Sequence, residues 1–177
     1  MSKNFAVVLS GSGVYDGAEI HEATLSLLAI DKQGAKYQCF APDIDQCHVI
    51  NHITGEEMNE KRNVLVEAAR IARGNIKPLS EFKAVDYDCL LFPGGFGVAK
   101  NLSTLAFKGA DCSVNTDVEK AVFDMVEHKK PIGALCISPA VMACVLKGAK
   151  VTIGNDKGTI GAIVSMGGLH IEKAHGE

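Results

Sequence analysis

This sequence predicts an α/β fold in which helices pack on both faces of a mainly parallel sheet. Three observations predict it. Short apolar runs rich in Val, Leu and Ile alternate along the chain with segments of helical periodicity. These runs lack the polar alternation of a strand with one wet face, so each reads as a strand buried on both sides. Glycine or proline then punctuates most junctions. At 177 residues, with 47% apolar and 22% charged, the chain is about one globular domain. A single domain over 1–177 is expected.

The elements follow in order. Phe5 to Leu9 is the first strand, ending in the glycine turn Ser10 to Gly13. Ile20, Ala23, Leu27 and Leu28 make one helical stripe that Gly34 stops. Lys36 to Ala41 is the second strand, Asn63 to Ala72 a helix closed by Gly74, and Cys89 to Phe92 a third strand broken by Pro93, Gly94 and Gly95. The segment from Asp43 to Lys61 between them is polar with weak periodicity, which suits a long active-site loop or flap. Next come a helix over Val118 to Val126, a strand over Ile132 to Leu135, a helix over Pro139 to Leu146, a strand over Val151 to Ile153 and a helix over Thr159 to Met166. Right-handed crossovers would bring the strand-to-helix turns to one edge of the sheet, where open α/β sheets bind ligands. Function is therefore expected at Ser10 to Gly17, Pro93 to Gly97 and Cys136 to Pro139.

Composition narrows the class of function. A formal charge of -3 and a pI near 6.1 provide no basic field, so nucleic acid is not an expected partner. Met1 to Leu9 lacks the cationic start and apolar core of a signal peptide, and no apolar run approaches the roughly 18 residues of a membrane span. A cytoplasmic location without membrane contact is expected. The six cysteines show no C-x-x-C spacing and no paired Cys/His set, so they read as reduced thiols without zinc. Most sit among apolar neighbours and suit core packing.

Cys136 has a different context. An apolar strand runs directly into it and Pro139 then starts a helix, the strand-turn-helix setting of a nucleophile elbow. A thiol at a helix amino terminus is biased toward the thiolate, which is expected here at neutral pH. The bare backbone of Gly94 and Gly95 can approach a ligand closely and, with the N–H of Ile137, point at a developing oxyanion. Asp16 and Glu19 stand in the relation of a helix cap and its N3 partner, which gives Glu19 a structural role. Glu22 lies just beyond that box. By periodicity it belongs to a solvated helix face, but its place at the carboxyl edge of the sheet puts it beside the other two turns. Gly11 and Gly13 start a dinucleotide-like pattern, yet Asp16 stands where its third glycine belongs, so no nicotinamide or flavin cofactor is expected. His170 and Glu172 would share a face if their segment is a strand.

Taken together, Leu9 to Ala23, Cys39 to Asp43, Val49 to Glu56, Phe92 to Gly97 with Ala99 to Leu102, and Cys136 to Ala140 resemble the ElbB family of the PfpI-like, class I glutamine amidotransferase-like superfamily. The resemblance covers nearly the whole chain. It implies a flavodoxin-like sandwich, a homodimer, a link to isoprenoid biosynthesis and a cofactor-free, metal-free glyoxalase-type activity on a small aldehyde. By position, it makes Cys136 the nucleophile, Glu22 its carboxylate partner, and Gly95 and Ile137 the backbone donors. Two departures stand out. Amidotransferases use a Cys-His-Glu triad, whereas His170 and His175 are the histidines after Cys136 and their segment does not match. Relatives also continue with a further strand and a terminal helix beyond the point where this chain stops, at Glu177.

The resulting expectation is that Cys136 adds to glyoxal and Glu22 moves a proton between the two carbons, giving glycolate. An ionised Glu22 would raise the thiol pKa and a protonated one would lower it, so the competent pair carries one negative charge. The rivals are a redox-sensing or interaction protein built on the same thiol and an amidase using His170.

Overall fold

The computed structural model describes residues 2–173. Five parallel strands form the main sheet: β1 (Asn4–Val8), β2 (Lys36–Ala41), β3 (Ile76–Pro78), β4 (Cys89–Phe92) and β5 (Ile132–Ala134). Their order is β3-β2-β1-β4-β5, with Val7 of β1 opposite Cys39 on one side and Leu91 on the other. The chain winds outward from β1 to β3 and then returns to β4. Winding thus reverses between β1 and β4, and a crevice opens there at the carboxyl ends.

Two cores explain the unbroken apolar runs. Ala6 and Val8 face a cluster with Leu90 and Phe92, while Val7 and Leu9 face another with Cys39 and Ala41. Ala6, Val7, Val8 and the following Leu9 are all fully buried, each of the larger ones stabilising the sheet by up to about 1.5–3 kcal/mol. Helices α1 (Ile20–Lys32) and α2 (Val64–Ala72) cover the second cluster. The first is covered by α3 (Phe96–Lys100), α4 (Leu105–Lys108), α5 (Thr116–Glu127), α6 (Ser138–Val145) and α7 (Lys157–Ser165). Strands β6 (Lys150–Val151) and β7 (Leu169–His170) pair separately in parallel. This is the flavodoxin-like sandwich the resemblance implied.

Several local expectations need correction. The cap of α1 is Glu19, whose Oε2 accepts the Glu22 N–H at 2.7 Å; Asp16 lies farther back in the turn. Asp16 is instead buried, and its Oδ2 accepts the Ile50 N–H at 2.7 Å. That bond pins the Asp43 to Lys61 segment, which folds back on itself through the Ile50–Glu57 bridge and docks on the first turn. Strand β7 stops at His170, before Glu172, so the two do not share a strand face. β3, α3 and α4, of three, five and four residues, are too short to show periodicity in the sequence.

Candidate active site

Three turns meet at the carboxyl end of the crevice. The Glu19 N–H donates to Gly94 O at 2.9 Å, Phe96 N–H to Val14 O at 2.8 Å and Gly97 N–H to Gly17 O at 2.9 Å, joining the turn after β1 to the turn after β4. Leu135 N–H donates to Phe92 O at 3.0 Å and Ser138 Oγ to Pro93 O at 3.0 Å, which brings in the turn after β5. Asn101 braces the assembly from below. Its buried Nδ2 donates to Ser10 O and Asp16 O at 2.9 and 2.8 Å, and its Oδ1 accepts the Cys47 N–H at 3.0 Å. No spacing rule marks Asn101 in the sequence; only its place in the quoted Ala99 to Leu102 motif does.

The glycines here are required by closeness. A Cβ on Gly95, which has φ 100°, would lie 2.4 Å from both Glu19 N and Gly17 O. A Cβ on Gly94 would lie 2.3 Å from Cys136 Cβ, 2.6 Å from Glu22 Oε2 and 2.9 Å from Cys136 Sγ. Thiol and carboxylate therefore crowd the same side of Gly94, close enough for the charge of Glu22 to act on the sulfur. Cys136 itself has φ 55°, a left-handed conformation costing about 1–2 kcal/mol for a residue with a Cβ. This is the strain of an elbow: it turns the sulfur out at the mouth of the crevice while Ile137 caps α6.

Glu22 reaches the site because its Oε2 accepts the Gly94 N–H at 2.8 Å across 72 residues of sequence. That N–H is thereby occupied, whereas the sequence reading grouped Gly94 with the oxyanion donors. The N–H groups of Gly95 and Ile137 point at the sulfur instead. Electrostatics correct a second expectation. Burial pushes the Cys136 thiol above its ordinary value, the Gly95 and Ile137 N–H groups oppose this, and the charge and hydrogen bond of Glu22 reinforce it. The residue is open to solvent on one side, yet the crowding turns desolvate its sulfur. Two N–H groups at a short helix do not outweigh those effects, so the resting sulfur is a thiol rather than the expected thiolate.

A cavity of about 270 Å³ opens over the sulfur, walled by Val14, Phe96, Ile137, Ile153, Asp156 and Thr159. No histidine bonds Cys136 among the described residues. His170 Nε2 accepts the Ile153 N–H at 3.4 Å, His52 Nε2 accepts the Tyr15 N–H at 3.2 Å, and His175 lies outside the described residues. Among the described residues no cluster of three or more His, Cys, Asp or Glu could hold a metal, and no helix is long and apolar enough to cross a membrane.

No family profile matches the chain. It is 48% identical over 95% of its length to the ES1 protein homolog, mitochondrial, of Rattus norvegicus, covering 67% of that protein. It is also 48% identical to the human glutamine amidotransferase-like class 1 domain-containing protein 3, mitochondrial, covering 66% of it. The chain thus spans about two thirds of the length of these curated relatives. Both names say mitochondrial, which does not match the cytoplasmic location expected from the sequence. An isoprenoid biosynthesis protein with an amidotransferase-like domain from Ehrlichia chaffeensis superposes with a TM-score of 0.90 at 43% identity, over 97% of this chain and 79% of that one. Glyoxalase III of Candida albicans shares the fold at a TM-score of 0.61 and 16% identity, over 97% and 83% of the two chains.

Proposed function

The chain belongs to the ElbB family of amidotransferase-like proteins, and from that premise we propose that it is a cofactor-independent glyoxalase converting glyoxal to glycolate. One observation carries the proposal: the Cys136 sulfur and the Glu22 carboxylate crowd together against Gly94. A nucleophile and a base in contact, in a small cavity, are what carbonyl addition followed by a proton shift requires.

In the resting pair the thiol keeps its proton and Glu22, accepting the Gly94 N–H, carries the single negative charge. As the sulfur adds to one aldehyde carbon, Glu22 takes the thiol proton and passes it to the new alkoxide, which the Gly95 and Ile137 N–H groups stabilise. Glu22 then removes the hydrogen from the carbon bonded to sulfur, giving an enediolate; the hydroxyl proton of that carbon passes to the second oxygen, and Glu22 returns its proton to the second carbon, leaving a carbonyl at the first. The product is a thioester of glycolic acid. Water hydrolyses it, releasing glycolate and restoring the thiol; one carbon is oxidised, its neighbour is reduced, and no external electron acceptor is consumed.

The alternatives fit less well. An amidase needs a histidine on Cys136, and His170 is committed to Ile153. A peroxide sensor depends on thiolate, which burial and Glu22 disfavour. We attach the chain to isoprenoid biosynthesis on the name of its Ehrlichia relative. We also retain the expected homodimer: Leu25 and Leu28 are exposed on the outer side of α1, and sedimentation of wild type against Leu25→Glu tests whether they are covered. Glycolate formation from glyoxal by the purified protein is the direct test. Cys136→Ser should abolish it, and Glu22→Gln should lower it roughly 10²- to 10⁴-fold; full turnover in either variant refutes the assignment.

A further inference from the structure

The cavity over Cys136 shares the ring of Phe96 with a second cavity of about 410 Å³, whose walls include Tyr15, Ile50 and Lys100. Phe96 is half exposed between them. The second cavity is mostly apolar, and Lys100 is its one charged wall residue. Lys100 Nζ donates a hydrogen bond to Tyr15 O at 2.8 Å and stands 5.7 Å from the Phe96 ring centroid. Among the described residues no carboxylate pairs with it. An ammonium has three N–H donors, so two are left for a ligand.

The first cavity has the opposite polarity. Glu22 lies beside the sulfur and Asp156 lines the wall, so an anion is repelled there and attracted at Lys100. Glyoxal, with four heavy atoms, fills little of either space. We propose that the two cavities form one elongated site around Phe96, and that besides glyoxal it takes a 2-oxoaldehyde with an apolar body and a terminal carboxylate. Its carbonyl is presented to Cys136 and its carboxylate to Lys100. Phe96 and Tyr15 flank the apolar body, which accounts for two aromatic rings standing partly exposed in one cleft. This rests on the reading of Cys136 as the group that adds to the carbonyl.

The test uses the whole chain and a readout independent of turnover, the protection of Cys136 from iodoacetamide by reversible hemithioacetal formation. The probes are 4-formylbenzoate and 4-(4-formylphenyl)butanoate, each against its neutral amide. A charge-assisted contact predicts that at least one acid protects at a concentration roughly tenfold lower than its amide, with the gap narrowing as salt rises. Lys100→Gln should close the gap and Lys100→Arg should keep it. Equal protection by acids and amides, or a gap that survives in Lys100→Gln, overturns the subsite and leaves the role of Cys136 standing. Failure of all four probes while glyoxal protects overturns the subsite alone, and failure of glyoxal to protect as well overturns the role of Cys136 with it.

Discussion

Gly94→Ala tests the site through a single methyl group. Gly94 is not in the left-handed region, so its backbone accepts an alanine and any cost is steric. The new Cβ would meet Cys136 Cβ at 2.3 Å, where carbon atoms rest at about 3.5–4.0 Å. The clashing atom is the root of the Cys136 side chain, so relief requires the elbow backbone to move by about 1 Å, and the separate 2.6 Å approach to Glu22 Oε2 displaces that carboxylate from the Gly94 N–H as well. Overpacking of this kind costs about 1–3 kcal/mol, equivalent to a melting temperature lower by roughly 2–12 °C in a chain of this size. A displacement of about 1 Å between reacting groups costs on the order of 10²-fold in rate. Gly161→Ala is the control: a Cβ there meets nothing within 4 Å, and alanine in α7 should be neutral or stabilising. Glycolate production and thermal unfolding of both variants decide the matter. If Gly94→Ala stays within about 1 °C and about threefold of wild type, thiol and carboxylate are not held against Gly94 as described.

Other consequences are testable separately. Glu22→Gln should speed alkylation of Cys136 at neutral pH while turnover falls, because it removes a charge that raises the thiol pKa together with the base; slower alkylation would contradict the electrostatics given for the pair. Cys136→Gly should be more stable than Cys136→Ala by about 1 kcal/mol, since glycine relieves the positive φ, and equal chemical denaturation midpoints would mean the elbow is unstrained. Burial raises the Cys39 thiol from 9.0 to about 11, so unfolding releases a proton in that window. Its contribution of roughly 3 kcal/mol is present below pH 9 and lost as pH rises toward 11. Cys39→Ala should show a shallower alkaline loss of stability in urea titrations, and parallel curves would contradict the assigned burial.

The sandwich was legible because its signals are local. Residues 5 to 9 and 89 to 92 are continuously apolar since both faces of their strands are covered, and the helix over Asn63 to Ala72 announces its own cap: Asn63 Oδ1 accepts the Val66 N–H at 3.0 Å. The elbow was legible for the same reason, as a strand, a cysteine and a proline in one short stretch. Glu22 was readable only through its expected edge position and the resemblance; helical periodicity placed it in water.

What the sequence by itself determined is the order of elements, the parallel sheet and the three turns that carry the chemistry, because hydrophobic spacing and backbone preference act between near neighbours. Only the tertiary structure decided that Glu22 and Cys136 touch, that the Gly94 N–H serves the carboxylate, that Asn101 clamps the turns and that the sulfur rests protonated. Those outcomes depend on desolvation and charge acting through space between residues far apart along the chain, as Glu22 and Gly94 are, and no local pattern encodes them.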